Sequence, residues 1–409
     1  MKTPLLLLIT LFFSFLSIYA QKTDRQLAEE TLRNYMDGGT YGDTVKMMAV
    51  FHPTATMKFV DKKTGTFRDV PIAQYLDSVR RNAGVKSNRQ TRIVYLDIIG
   101  TAAHAKLELD YPTFQFIDFF NLLKTDGQWK VVSKIFYRLD KAPLLAKDTI
   151  STNDVFGFAL APGEQQAYFV KSYGGRDSLH LFETQKKNGQ WTIPQKASFS
   201  GKYKDIDPAF SPSGNVLIFN SNRPTTTSDK NLDFNIWGIR KQSQGWSEPF
   251  SLGTVVNSDS SDFYATLAAN GNLYFTSLRL GGLGGTDIWR SVFKNGVYQK
   301  PENLGSIINS QKGESNPFIS PDEKYLIFLS DTEGGLGDSD LYISFQQNGQ
   351  WSIPQNLGPD INTPLAEFAP SLSPDGKTLF FGRIKRGKPQ VENIYYVNDF
   401  DKIVAQFLK

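Results

Sequence analysis

The rhythm of hydrophobic and polar positions changes once along the chain, near residue 145. Before that point helical periodicity alternates with long strands, and after it only short strands and turns occur. Thr23-Asp24-Arg25-Gln26 reads as a capping box, in which a hydroxyl and a side-chain amide satisfy each other's backbone donors at a helix start. Ala28, Leu32, Tyr35 and Met36 then share one helical face, and Gly38-Gly39 is the predicted stop. A second short helix is expected over about 43–51, ended by His52-Pro53, followed by a strand at 57–60. Pro71 opens a third helix, where Ile72, Tyr75, Leu76 and Val79 recur at helical spacing. Long strands are predicted at 91–99, 102–109 and 113–123. Asp126-Gly127 reads as a hairpin turn that pairs 129–137 back. Helices followed by a meander of long strands predict an α+β domain over 22–139, a curved sheet wrapped around helices to make a cone with one open mouth.

The second regime repeats. Ala161-Pro162-Gly163, Ser211-Pro212-Ser213-Gly214, Ala268-Ala269-Asn270-Gly271, Ser320-Pro321-Asp322-Glu323 and Ser373-Pro374-Asp375-Gly376 each lead into an apolar run ending in Phe. Their first residues, at 161, 211, 268, 320 and 373, lie 50 to 57 apart. A second landmark follows in each unit: Ser178-Leu179-His180, Asn235-Ile236-Trp237, Asp287-Ile288-Trp289, Asp340-Leu341-Tyr342 and Asn393-Ile394-Tyr395. Four units close on an aromatic-to-proline run, at Trp191, Trp246, Tyr298 and Trp351. About 50 residues per four-stranded unit is the period of a β-propeller blade, and Pro is tolerated on the outermost strand because that edge needs no donor. The expected architecture is therefore multidomain: the cone, a linker at 140–153, and an all-β propeller over 154–409. Five blades are expected, with six as the alternative. The fifth unit lacks its outer strand. The segment 146–152 is expected to supply it, with the tail at 402–408 as the second choice.

Two resemblances rest on these residues. Phe51-His52-Pro53, the run Ile117-Asp118-Phe119-Phe120-Asn121-Leu122-Leu123-Lys124, and Asp126-Gly127-Gln128-Trp129-Lys130-Val131-Val132 with Lys134 resemble the lumazine-binding-like family. That family belongs to the nuclear transport factor 2-like (SnoaL-like, ketosteroid isomerase) cones, and the resemblance covers about 24–138. The cone superfamily hosts both enzymes and pure binding modules. The repeats resemble the TolB-like propeller with its WD-like, Ser-Pro-Asp-Gly type unit, over about 154–398. This second resemblance implies association with the cell envelope.

Composition narrows the chemistry. The chain has 409 residues, 33 Gly, 20 Pro and no Cys, and its formal net charge is +4. The absence of Cys removes disulfides, thiolate metal sites and cysteine nucleophiles, and the near-balanced charge offers nothing that would track a nucleic-acid backbone. Lys2, the apolar stretch 5–16 and Ala20 form the pattern of a secretory signal peptide cleaved after Ala20. The mature chain is thus expected in the periplasm of a Gram-negative bacterium or outside it, with no later transmembrane span. No Gly-x-Ser-x-Gly elbow or phosphate-binding glycine motif occurs. The clusters Gly281-Gly282-Leu283-Gly284-Gly285 and Gly334-Gly335-Leu336-Gly337 occupy equivalent repeat positions and read as blade loops. The three histidines, 52, 104 and 180, have no metal-ligand spacing. No metal or cofactor is expected.

Two sets of residues remain as candidate sites. Asp205, Asp262, Glu314 and Glu367 each precede a turn landmark by six residues. Repetition would gather them as a carboxylate ring at one mouth of the propeller channel, able to bind a cation or basic group, unless each serves only to fix a neighbouring blade. In the cone, His52, His104, Asp118 and Lys134 are the polar residues expected to approach the pocket. Asp118 falls on one strand face with Phe114, Phe116, Phe120 and Leu122, where it could act as a base or simply pair with Lys134. The functional expectation is a non-catalytic binding or scaffold protein. Its propeller loops would meet a protein or cell-envelope partner, and its cone would form a homodimer or hold a small molecule. The alternative is an enzyme, by proton transfer at Asp118 or by glycan hydrolysis at the carboxylate ring.

Overall fold

The computed structural model describes residues 22–408 except 63, 147–148, 227–230 and 388–389. The signal peptide expected at 1–20 lies outside the described residues. The chain divides into two compact units, one ending at Leu139 and the other beginning at Asp140. No helix among the described residues is long and apolar enough to cross a membrane.

In the first unit, helix α1 (Asp24–Tyr41) starts on the capping box: Thr23 accepts from the Gln26 amide, and the Gln26 side chain accepts from the Thr23 amide. Ala28, Leu32, Tyr35 and Met36 are buried as the periodicity requires. The helix does not stop at Gly38-Gly39. It runs on to Tyr41 and ends at Gly42, which takes the left-handed conformation at φ 67°. The two earlier glycines are there for close packing: a Cβ on Gly38 would stand 3.0 Å from the Asp43 carbonyl, and one on Gly39 would stand 2.3 Å from the Arg89 guanidinium. Asp43 caps α2 (Thr44–Val50) through the Lys46 amide. The chain then enters strand β1 (Phe51–Val60) at once, so the expected strand at 57–60 begins six residues early. Pro53 is accommodated because the pairing of β1 with strand β6 (Gln128–Asp140) is irregular between Phe51 and Thr56, where a missing donor is harmless.

A short strand β2 (Phe67–Pro71), not visible in the hydrophobic pattern, leads into α3 (Ile72–Arg81). Strands β3 (Gln90–Ile99), β4 (Ala102–Asp110) and β5 (Phe114–Thr125) complete a six-stranded sheet in the order β2-β1-β6-β5-β4-β3. Asp126 and Gly127 both have positive φ, the geometry of a two-residue hairpin turn. Alternate residues Ala103, Ala105, Leu107 and Leu109 of β4 point inward and pack with α1, Phe120, Leu122 and Val131.

The second unit is mostly β. Five antiparallel meanders follow one another, with innermost strands at Val155–Leu160, Asp205–Phe210, Asp262–Leu267, Glu314–Ile319 and Ala366–Leu372. The turns between first and second strands explain the Ser-Pro landmarks. Ser320 Oγ accepts from the Tyr325 amide and donates to Asp322, and Ser373 does the same with Thr378 and Asp375. The second strands bury continuous apolar runs such as Leu217–Phe219 and Leu326–Phe328. The glycine clusters are loops, as their position predicts. Asp287 accepts from the Leu283 and Gly284 amides, and Asp340 from those of Leu336 and Gly337. A Cβ on Gly337 would stand 2.1 Å from the Thr363 carbonyl of the following unit, so the loop presses directly on its neighbour.

The last meander has three strands, and its third, Val391–Val397, receives a pairing from the start of the unit: Leu145 N donates to Ile394 O, Tyr396 N to Pro143 O, and Leu144 bridges Tyr395. The pairing falls on 143–145, just ahead of the expected 146–152, of which 147–148 lie outside the described residues. Thr149 and Ile150 instead donate to the Ala146 carbonyl and turn the chain. The C-terminal segment is a helix, α4 (Phe400–Phe407), whose Phe400 is buried, and not the strand considered for 402–408.

Candidate functional site

In the first unit, the alternation of β5 carries Asp118 inward. Its Oδ2 accepts from Tyr35 Oη at 2.7 Å and meets Lys134 Nζ at 2.9 Å, while Lys134 Nζ lies 2.7 Å from Tyr35 Oη. All three side chains are buried. Burial and the adjacent Asp118 push the Tyr35 phenol well above its ordinary range. Four rings, those of Tyr35, Tyr75, Phe120 and Phe136, stand 5.1 to 5.8 Å from Lys134 Nζ, which is cation–π distance. Phe114, Phe116 and Phe136 stack edge-on nearby. Asp118 and Lys134 are thus brought together inside the cone.

The two histidines are not brought to that cluster. His104 sits on the opposite face of β4 from the inward row, bonded to Asn121 and stacked on Phe119. His52 lies on β1, bonded to Thr54.

In the second unit the four recurring carboxylates are buried at the starts of the innermost strands. Asp205, Asp262 and Glu367 pair with Arg223, Arg279 and Arg383 at 2.6 to 2.7 Å. Their remaining acceptors take the loop that leads into each strand: Ser200, Ser258 and Thr363 donate to them. Glu314 has no arginine and is held by Ser310 and Ser330. The arginines lie over the aromatic landmarks, Arg279 over Phe275 and Trp289 and Arg383 over Phe381 and Tyr395. Burial pushes the Glu367 carboxyl up to about 6, although Arg383 and Thr363 pull it down. These groups lock each sheet to its own lead-in loop.

A second shared feature lies two residues further along. Every innermost strand slips register there, and the slipped residue is left-handed: Gly157, Asp207, Tyr264, Asn316 and Ala369, with φ between 48° and 60°. The five strands are neighbours in cyclic order. Ser371 Oγ donates to Phe158 O, the Ala369 amide to Asn316 Oδ1, and Thr266 Oγ1 to Pro317 O; the first two strands also pack together. Together they line one cavity of about 100 Å³.

Asp207 is the singular group in this lining. It is 6% exposed, and neither carboxylate oxygen has a hydrogen-bond partner among the described residues. Burial raises its carboxyl well above the usual range, and Arg176 pulls the other way. Arg176 is itself bound to Glu392 at 2.6 Å and rests over Phe156 and Phe368. The Tyr264 phenol is also raised, by burial first and by Asp207 next. Asp207 was not among the residues singled out by the repeat. Its signal is the Asp-Pro pair inside a strand pattern, shared with Asn316-Pro317 and Ala369-Pro370, where a proline marks a bulge.

Comparison with known proteins finds likenesses of different reach. No curated protein matches the chain. An NTF2-like protein of unknown function from Shewanella baltica is 34% identical over 29% of this chain and 98% of its own, with a TM-score of 0.27. Another, from Methylobacillus flagellatus, is 37% identical over 28% and 91%, with a TM-score of 0.26. A thermostable family-43 glycoside hydrolase aligns over 61% of this chain and 92% of its own, at 12% identity and a TM-score of 0.42. The model of the family described as "Putative lumazine-binding" matches residues 23–137, the same span that builds α1 to β6 around the Asp118 cluster, and these residues form a nuclear transport factor 2-like domain of that family.

Proposed function

We propose that the chain is an exported, non-catalytic binding protein in which the second unit is a five-bladed propeller and its axial bore is the binding site. Five meanders in cyclic order support the blade count. The pairing of 143–145 with the last meander supports closure, because it supplies the strand the fifth repeat lacks and covers an open edge. The Lys2, apolar and Ala20 pattern supports export to the periplasm or beyond. The pairing of Asp118 with Lys134 and Tyr35 supports a role for the cone in assembly, such as homodimerisation, rather than as a site of proton transfer. The partner is then a protein or another envelope component that reaches the bore.

One observation carries this reading: the five innermost strands line a single cavity of about 100 Å³, and Asp207, a buried carboxylate without a hydrogen-bond partner among the described residues, is one of its lining residues. Buried polar groups are ordinarily satisfied, and a cavity with an unmatched one in its wall is a candidate binding site. Glycoside hydrolysis requires two carboxyl groups in distinct roles on either side of a sugar bond. In this lining Asp207 stands alone, and Glu392 is held by Arg176.

A panel of oligosaccharides and chromogenic glycosides tests the reading. The expected result is no hydrolysis above buffer by the wild-type chain. Hydrolysis that disappears in Asp207→Asn would replace binding by catalysis at this site.

A further inference from the structure

Where neighbouring meanders of the second unit meet, large side chains fill the gap. Phe158 of the first meander packs on Phe380 of the fifth at 4.7 Å, with Trp191 edge-on to Phe158. Tyr168 of the first packs on Phe210 of the second, which also meets Trp246. Tyr274 of the third meets Trp351 of the fourth. The fifth meander lacks that outer strand, and Phe400 of α4 joins the cluster around Ile327 of the fourth instead. The gap between the second and third meanders is different. Ile218 stands where three others carry Tyr168, Tyr274 and Phe380, and Tyr298 stands where three others carry tryptophan. With this smaller pair the gap holds a cavity of about 560 Å³, within the range of roughly 300–1,000 Å³ that accepts small molecules.

Two further departures line the cavity. Phe250 takes a place held in the other meanders by Gln195, Glu302 and Gln355. Its ring lies across Gly238, where a Cβ would stand 2.9 Å from it. On the third meander, Phe293 packs on Tyr298 with ring centres 5.0 Å apart. Arg240 is the single charged residue of the described lining. It is exposed, and its guanidinium carbon stands 3.9 Å from the centre of the Phe250 ring. That guanidinium makes no hydrogen bond or ion pair among the described residues. Burial pushes the Tyr298 phenol up to about 12, and Arg240 pulls it down.

These walls select a chemistry. A cation would meet Arg240. A polyol would find few partners, since the Ser211 hydroxyl is already taken by Ser213 and the Val216 amide, and the Ala269 and Gly271 amides by backbone carbonyls. A planar ring suits the faces of Phe250, Phe293 and Tyr298, as indoles suit the neighbouring gaps. A carboxylate suits a guanidinium fork held in place on an aromatic ring.

Independently of the axial cavity, we propose that the gap between the second and third meanders binds a small aromatic carboxylate, its ring beside Phe250, Phe293 and Tyr298 and its carboxylate on Arg240.

Calorimetric titration of the full mature chain tests this with indole-3-propanoate, its neutral amide, and hexanoate. The expected result is one-to-one binding of indole-3-propanoate, at least about tenfold tighter than that of the amide or of hexanoate. Arg240→Gln and Phe250→Gln should each weaken it at least about tenfold, and both should melt as folded proteins, because Arg240 is exposed and Gln is the residue of the first and fourth meanders at the Phe250 position. Ile218→Tyr with Tyr298→Trp, which fills the gap as its neighbours are filled, should abolish binding while the melting temperature holds or rises. Equal binding of the amide, or indifference to Arg240→Gln, overturns the carboxylate contact. Equal binding of hexanoate overturns the aromatic class. Binding undiminished in the filled variant, or no binding of indole-3-propanoate at all, overturns the site. A short peptide ending in a tryptophan carboxylate that binds at least about tenfold more tightly than the free acid overturns the assignment to a small molecule. None of these outcomes bears on the axial reading.

Discussion

The cone and the repeat unit both bury carboxylates, and they use them differently. In the cone a single cluster, Tyr35, Asp118 and Lys134, is assembled once from α1, β5 and β6 and wrapped in aromatic rings. In the repeat unit one device recurs: a carboxylate at the head of the innermost strand, a Ser or Thr from the lead-in loop and, in three cases, an arginine stacked on the same sheet's aromatics. Recurrence marks structure here. A group that appears in several sheets does what every sheet needs, which is to fasten its own loop. The position that differs from sheet to sheet, occupied by Gly157, Asp207, Tyr264, Asn316 and Ala369, shares a backbone geometry and varies its side chain. That variation is where a repeat protein can differentiate a site.

The comparison can be broken by substitution. The largest effect is expected at the recurring pairs. Asp262→Ala leaves Arg279 without its counter-charge at a nearly closed site, and chemical denaturation of the second unit should show a loss of about 3–5 kcal/mol. If the loss were within about 1 kcal/mol, the fastening role would fail.

In the cone, Lys134→Met should cost about the same alone, because it strands Asp118. The double variant Asp118→Leu, Lys134→Met should recover much of that loss, since well-packed apolar residues often replace buried ion pairs at little or no cost. Additive losses would mean that the pair is not a coupled unit.

Gly337→Ala should cost about 1–3 kcal/mol by overpacking against the Thr363 and Leu365 carbonyls, read as a lower melting temperature.

The left-handed position at Asp207 should move the other way. Because the Asp207 carboxyl is raised in the folded state, the folded chain binds more protons than the unfolded one as pH rises above the ordinary carboxylate range, and stability falls. Arg176 is the facing charge that counters this, with Glu392 and Tyr264 behind it. Asp207→Asn should therefore stabilise the chain by about 1 kcal/mol or more at about pH 8, with the gain vanishing below about pH 4. A loss of stability at high pH would show that Asp207 has a partner after all. The smallest effect belongs to Thr23→Ala, about 1 kcal/mol from the capping box.

Much of the fold was legible because local chemistry and tertiary use agree. The capping box, the inward row of α1 and the Asp126-Gly127 turn appear as read. The Gly38-Gly39 stop misleads because glycine serves two purposes, ending helices and letting chains approach, and only the position of Arg89 tells them apart. Strand β2 escapes because it is an exposed edge with no apolar alternation. The recurring carboxylates were legible as a set, but not their purpose. Their partners lie at varied sequence distance, Arg223 after Asp205 and Arg383 after Glu367, and a chain pattern does not show which ends meet. A nearer signal was available in Val256-Asn257-Ser258, Ile308-Asn309-Ser310 and Ile361-Asn362-Thr363. In each, the Asn clamps the third strand's backbone and the Ser or Thr holds the carboxylate that follows. Asp207 was hidden because repeat reasoning favours what recurs, and its distinction is that it does not.

The most direct test of the candidate site is the titration of Asp207 itself, followed by carbon-13 NMR of the labelled carboxyl in the wild-type chain, with Asp207→Asn to assign the signal. The account predicts a carboxyl that titrates well above the ordinary aspartate range, because burial disfavours its charged form. A carboxyl that titrates in the ordinary aspartate range would contradict it.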